Sequence, residues 1–223
     1  MNVRSVPLGP LPSTLTRRQD GTMIVRTTSM LGAYPTRATE RLVYWAERAP
    51  ARPMLAWRGS ESPSGEWDTL SYGAAFAAVR RIGQALLDRG LSAERPVAIL
   101  SGNDSSHALL SLAAQHVGIT VTPISPAYST ASRDFAMLKH AMRLLTPGLV
   151  FAASGAAFDR SIDAGVREVS PAVEVVRSLD ALQSVAPSDA VERAHDAVTS
   201  DTIAKILLTS GSTAIPKGVI NTH

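Results

Sequence analysis

From Val97 onward the chain alternates short apolar runs with amphipathic stretches, and no other feature constrains its fold so tightly. The runs are "PVAILSG", "ITVTPIS", "LVFAAS", "VEVVRS" and "TIAKILLTS". They lack the strict polar–apolar alternation of a half-exposed strand, so each is expected to be buried on both faces. Between them, "DSSHALLSLAAQHVG", "SRDFAMLKHAMRLL", "SDAVERAHDAV" and, more weakly, Phe158 to Val166 carry helical spacing. Doubly buried strands separated by helices predict an α/β fold: a mostly parallel sheet with flanking helices.

Upstream, the pattern is less regular. Residues 1–20 read as a Pro-rich arm, and Asp20-Gly21 is a turn signal ahead of the β-prone "MIVRT". Residues 1–35 are thus expected to form an arm with a short hairpin, and residues 36–223 the main domain. "TRATERLVYWAERAP" predicts a helix with Thr caps, with Leu42, Trp45 and Ala49 at helical spacing and Pro50 as its stop. "PMLAWRG" fits a strand. "EWDTLSYGAAFAAVRRIGQALLDRGL" holds a second helix: Phe76, Val79, Ile82, Leu86 and Leu87 share one face, and Gly90 ends it. Residues 184–200 read as a surface excursion before the last apolar run.

Composition narrows the functional classes. With 45% hydrophobic residues over 223 positions, the chain can bury a large core. Its net charge of +3 comes from scattered Arg rather than a patch, so nucleic acid is not an expected partner. There is no cysteine, which excludes disulfides, thiolate metal sites and a Cys nucleophile. No apolar run reaches the roughly 18–20 residues of a membrane helix, and the N-terminus lacks the apolar core of a secretory signal. A cytoplasmic protein without a membrane partner is expected. No His pair has metal-binding spacing, and His107 and His116 fall on one helix without standing four residues apart. No Gly-x-Ser-x-Gly elbow is present. Asn103 or Asp104 is expected to cap the helix that follows. Tyr128 falls in the turn-like "SPAYS", and Trp45, Trp57 and Trp67 are expected to be packing residues.

The reactive-looking segment is the last. The run Ile203–Leu208 leads into "TSGSTAIPKG". In a parallel α/β sheet, ligands gather beyond the carboxyl ends of strands. Thr209, Ser210, Ser212 and Thr213 offer hydroxyls, Gly211 allows close backbone approach, Pro216 stiffens the segment, and Lys217 adds a cation ahead of Gly218. Backbone N–H groups, hydroxyls and a Lys suit a polyphosphate. Ser/Thr/Gly segments are also common in ordinary surface loops, and composition alone does not choose between the two. It is not a Walker A loop, in which Gly-Lys-Ser/Thr opens a helix; here the β-prone "VINT" follows.

"LLTSGSTAIPKGV" resembles the phosphate loop of the AMP-forming adenylating superfamily, whose pattern is Thr-Ser-Gly-Ser/Thr-Thr-Gly-x-Pro-Lys-Gly. Ala214 stands where the family has Gly. "RLVYWAERAPARPMLAWR", "LSYGAAFAAVRRIGQALLDRGL" and "RPVAILSGNDSSHALLSLAAQHVGITVTPISPAYS" resemble the family's preceding steps, so the likeness covers nearly the whole chain. Within the superfamily, the last of these and "TSGSTAIPKGVINT" look most like feruloyl-CoA synthases.

The resemblance implies an ATP-dependent carboxylate–CoA ligase acting in two steps, through an acyl-AMP. Thr209, Ser210, Gly211, Ser212, Thr213, Ala214, Pro216, Lys217 and Gly218 would hold the ATP phosphates, with Mg²⁺ as metal, CoA as co-substrate and a carboxylic acid, hydroxycinnamic on the nearest likeness, as substrate. Family proteins are more than twice as long. Residues 36–223 would then be the first part of the adenylation domain, cut after the loop. The family's adenine motif, Mg²⁺-holding Glu, ribose-binding Asp and late catalytic Lys lie further along, so no complete active site and no turnover are expected from these residues alone. The alternatives are a naturally short, non-catalytic nucleotide-binding relative, and an unrelated nucleotide-binding α/β domain, which the missing Walker A helix disfavours. If position 214 needs positive φ, its Cβ costs roughly 1–2 kcal/mol. Ala214→Gly in a full-length parent is therefore expected to raise ATP–pyrophosphate exchange; an equal or lower rate would refute the idea.

Overall fold

The two most apolar runs form neighbouring interior strands of a six-stranded sheet. In the computed structural model, which describes residues 12–30, 32–58, 67–209 and 215–223, the chain divides into two units, Met1–Tyr34 and Pro35–His223. In the first, β1 (Ser13–Arg17) and β2 (Met23–Thr27) pair antiparallel. Their turn uses Gly21 at φ +85°, a left-handed conformation that favours glycine, and Asp20 accepts the Thr22 N–H at 2.9 Å. Leu15 faces Val25 across the pair, and both are exposed.

The second unit opens with α1 (Glu40–Arg48), then β3 (Pro53–Arg58) and β4 (Trp67–Ser71), paired antiparallel, then α2 (Tyr72–Asp88). At the start of α1 the cap comes from Glu40, which accepts from Thr36 and Arg37, while the Thr39 side chain makes no capping bond. β4 occupies the front of a segment whose pattern predicted only a helix. Ser71 ends that strand and caps α2 by accepting from Ala74 N–H at 3.3 Å. Trp57 and Trp67 do not pack inside: they are 36% and 59% exposed on the β3–β4 pair, with the Arg58 guanidinium over Trp67. The register pairs Trp57 with Asp68 and Trp67 with Arg58, so the two rings lie on opposite faces of the pair, at an end where both strands are exposed.

Six further strands follow: β5 (Val97–Leu100), β6 (Val121–Pro123), β7 (Leu149–Ala152), β8 (Glu174–Val176), β9 (Ile203–Thr209) and β10 (Lys217–Thr222). Their order is β10-β9-β6-β5-β7-β8, parallel throughout except β10, which runs antiparallel to β9. All residues of β5 and β7 are buried. Val97, Ile99, Leu149 and Phe151 point to one core; Ala98, Leu100, Val150 and Ala152 point to the other.

The first core is covered by α2, α3 (Ser105–His116), α7 (Asp180–Gln183) and α8 (Asp189–Ala197). The second is covered by α5 (Ala136–Leu145) and a π-helical turn, Ile162–Val166, which continues α6 (Ala156–Ser161); the short α4 (Ala127–Thr130) lies between β6 and α5. Right-handed crossovers require a step in one direction to place its helices on one face, and a step back to place them on the other. β5 to β6 and β8 to β9 move one way and carry α3, α7 and α8. β6 to β7 and β7 to β8 move back and carry α5 and α6. The α/β fold and its mostly parallel sheet are thus as the sequence pattern predicts. Residues 184–200 are more than a surface excursion, because Val191 of α8 is fully buried in the first core.

α8 is fastened to α3 through imidazoles. His116 and His195 stack with centroids 4.0 Å apart, His195 Nδ1 lies 3.0 Å from the His116 carbonyl, and Thr39 Oγ1 lies 3.2 Å from His116 Nδ1. Burial, followed by the nearby His195, Arg80 and Arg37, lowers the His116 pKa from 6.5 to about 3. Between these values the unfolded chain binds a proton that the folded chain refuses. Stability contributed by neutral His116 is therefore full above 6.5 and falls as pH drops toward 3, by about 1.4 kcal/mol per pH unit. Urea unfolding is expected to show wild type losing about 2 kcal/mol more than His116→Phe between pH 7 and pH 5.

Candidate active-site crevice

Three parallel strands, β5, β6 and β9, end at the same edge of the sheet and open into one crevice. It is lined by Ser101, Gly102, Asn103 and His107 after β5, by Pro123 to Pro126 after β6, and by Leu207 to Thr209 at the end of β9, and encloses about 560 Å³. The carboxyl ends of parallel strands gather ligands because the turns there lack side-by-side partners and the helices that follow begin there.

The wall after β5 is fixed by local chemistry. Asp104 caps α3, accepting the His107 N–H at 2.7 Å, as its place before the helix predicts. Ser101 Oγ donates to the Gly102 carbonyl at 3.1 Å and lies 3.0 Å from His107 Nδ1. With that proton given to Gly102, Oγ accepts from Nδ1–H, which leaves Nε2 of a neutral His107 as an acceptor. Ser101 is only 2% exposed, and with His107 it forms part of the crevice wall. His107 also lines a smaller cavity of about 270 Å³ with Leu55, Ala56 and Trp57 of β3.

At the rim, Thr209 closes β9 and Lys217 opens β10, and the two are directly paired across the ladder. Lys217 is exposed and makes no ion pair with a described residue. Pro216 is buried, and its carbonyl lies 2.9 Å from His140 Nε2. Gly218 passes close to β9: a Cβ there would stand 3.0 Å from Ile206 Cγ2. Of the loop read from the sequence, Thr209, Pro216, Lys217 and Gly218 thus sit together at the crevice end of the sheet, while Ser210, Gly211, Ser212, Thr213 and Ala214 lie outside the described residues. Tyr128 is on α4 rather than in a simple turn, and packs against the second core.

A family model described as AMP-binding enzyme matches residues 42–223. The chain belongs to the AMP-binding enzyme family. Among curated relatives of this family, the PKS-NRPS hybrid synthetase ATPKS of Aspergillus niger is 31% identical over 151 residues, which is 68% of this chain and 8% of that protein. Solved structures carry the same fold. VinN aligns with a TM-score of 0.62 at 23% identity, over 86% of this chain and 46% of its own. A fatty acyl-adenylate ligase of L. pneumophila, in complex with acyl adenylate and pyrophosphate, aligns at 0.58 and 19% identity, over 82% and 29%. McyG A-PCP with phenylalanyl-adenylate aligns at 0.62 and 18% identity, over 86% and 29%. The chain therefore spans less than half the length of these relatives, and its α/β fold is like that of the N-terminal domain of adenylate-forming enzymes.

His107 and His140 contribute to the crevice and its rim without having been singled out by any sequence motif. The only local hint is that each falls on a predicted amphipathic helix. The Asp104 cap is directly testable. Asp104→Ala is expected to cost about 1 kcal/mol of unfolding free energy and Asp104→Ser only a few tenths, measured by urea denaturation.

Proposed function

We propose that this chain supplies the phosphate-binding part of an ATP-dependent carboxylate–CoA ligase, with a hydroxycinnamic acid as the favoured substrate class. The observation that carries the reading is the pairing of Thr209 with Lys217 at the mouth of the crevice, in a chain of the AMP-binding family. In this reading, Thr209 to Ala214 and Pro216 to Gly218 wrap the β- and γ-phosphates of ATP. A substrate carboxylate oxygen bonds to the α-phosphorus, and the bond from that phosphorus to the bridging oxygen breaks, releasing pyrophosphate. Lys217 and the Thr209 hydroxyl stabilise the charge carried off by pyrophosphate. The thiol of CoA then loses its proton to solvent as its sulfur bonds to the acyl carbon, and AMP departs with the electron pair of the broken acyl–oxygen bond.

Among the described residues, no group of three His, Cys, Asp or Glu side chains could hold a metal. Mg²⁺ would therefore reach this part of the protein on the ATP phosphates, where it neutralises their charge. The choice of CoA and of an aromatic acid rests on the feruloyl-CoA synthase-like sequence. The relatives' names mention acyl and phenylalanyl adenylates, which supports a carboxylate substrate without selecting one. The test is MgATP binding by titration calorimetry. Lys217→Ala is expected to weaken affinity about tenfold or more, the loss of one charge-assisted hydrogen bond. Equal affinity in the variant would make the segment an ordinary surface loop and leave a non-catalytic relative as the better reading.

A further inference from the structure

The segment Pro216–Gly218 returns from the loop into β10, and α5 packs against it from the second core. His140 and Leu144 stand one helical turn apart on α5 and so share a face. Leu144 Cδ2 would lie 3.7 Å from a Cβ on Gly218, and His140 Nε2 lies 2.9 Å from the Pro216 carbonyl. A carbonyl only accepts, so Nε2 must carry a proton. Proline has no N–H, so its carbonyl is the one main-chain group by which this buried residue can be held. The contact joins positions 76 apart in sequence.

α5 is itself firmly set. Phe135 precedes it at φ +55°, an unusual value for a bulky residue. That conformation is held by the Phe135 N–H bond to Ser132 Oγ at 2.9 Å and the Ala136 N–H bond to Asp134 Oδ1 at 3.1 Å. Leu138, Ala141, Met142 and Leu145 are buried in the second core, and Lys139 pairs with Glu168 at 2.7 Å. His140 therefore projects from a fixed platform.

We infer that His140 is a positioning residue for the ATP phosphate loop: by holding the Pro216 carbonyl it fixes the backbone from which Lys217 meets the polyphosphate tail of a nucleoside triphosphate. This rests on the phosphate-loop reading above. Thr209, on the ascending side, is held by the ladder with β10. The descending side has that ladder and, in addition, the α5 imidazole. The bond forms with the neutral Nε2–H tautomer and with imidazolium alike, so it needs an N–H donor at this reach rather than a charge. Glutamine can place its amide N–H near the same point; leucine fills the space without a donor.

The experiment measures binding of MgATP and of inorganic tripolyphosphate to the full chain for wild type, His140→Leu, His140→Gln and Lys217→Ala, with a thermal melt of each. The expected result is a five- to tenfold loss of affinity for both ligands in His140→Leu, recovery to within about twofold in His140→Gln, and a loss in Lys217→Ala. Three outcomes overturn the inference: wild-type affinity in His140→Leu, a Gln variant as weak as the Leu variant, or losses that only follow lowered melting temperatures. If Lys217→Ala loses affinity and His140→Leu does not, the loop reading stands and the role of His140 falls. If Lys217→Ala loses nothing, or wild type binds neither ligand, the loop reading fails and takes this inference with it.

Discussion

β5 and β7 lie side by side with all eight residues buried, and the rest of the second unit depends on this double burial. A strand covered on both faces cannot satisfy its side chains with one layer of helices. Its alternating residues demand two cores, and the chain meets the demand by crossing the sheet in both directions. At about 25 cal/mol per Å² of apolar surface removed from water, these strands are also where a polar substitution would be most damaging. The direction of each crossover settles which face its helix covers, so the position of α5 on the second face follows from the need to return past β5 to reach β7.

That topology has a consequence for the crevice. Parallel strands bring their carboxyl ends to one edge, so the segments after β5, β6 and β9 converge although they are far apart in sequence. The crevice is built from their turns rather than from strand interiors, which lets its wall carry Ser101, Asn103 and His107 without disturbing the cores. β10 then reverses direction beside β9. An antiparallel return sets the first residue of one strand against the last of the other, and this is why Thr209 and Lys217 face each other at the rim.

The repeating strand–helix steps after Val97 could be read from sequence because double burial erases polar positions from strands while helices keep theirs. The Asp104 cap and the Gly90 stop, at φ +61°, were also legible, since both act over one helical turn. β4 was hidden because its five residues run without a break into α2, whereas the β-prone "VINT" announces β10 but not its antiparallel pairing with β9. The exposure of Trp57 and Trp67 is not legible because ring size suggests burial, whereas the end of the β3–β4 pair that carries them is exposed on both faces. His116, His140 and His195 gave no local signal. Each acquires its partner from an element dozens of residues away, and spacing rules describe only neighbours along the chain.

By itself the sequence determined the α/β class, the mostly parallel sheet and the likeness of its last segment to a phosphate loop, because burial periodicity and short motifs are written in consecutive residues. Tertiary structure alone decided that β10 turns back along β9, that the ends of β5, β6 and β9 share one crevice, that α8 seats Val191 in a core, and that His140 reaches Pro216. The physical reason is the same in each case. These contacts join residues whose proximity is set by the order of strands in the sheet and the faces taken by the crossovers, and no stretch of chain encodes that order locally.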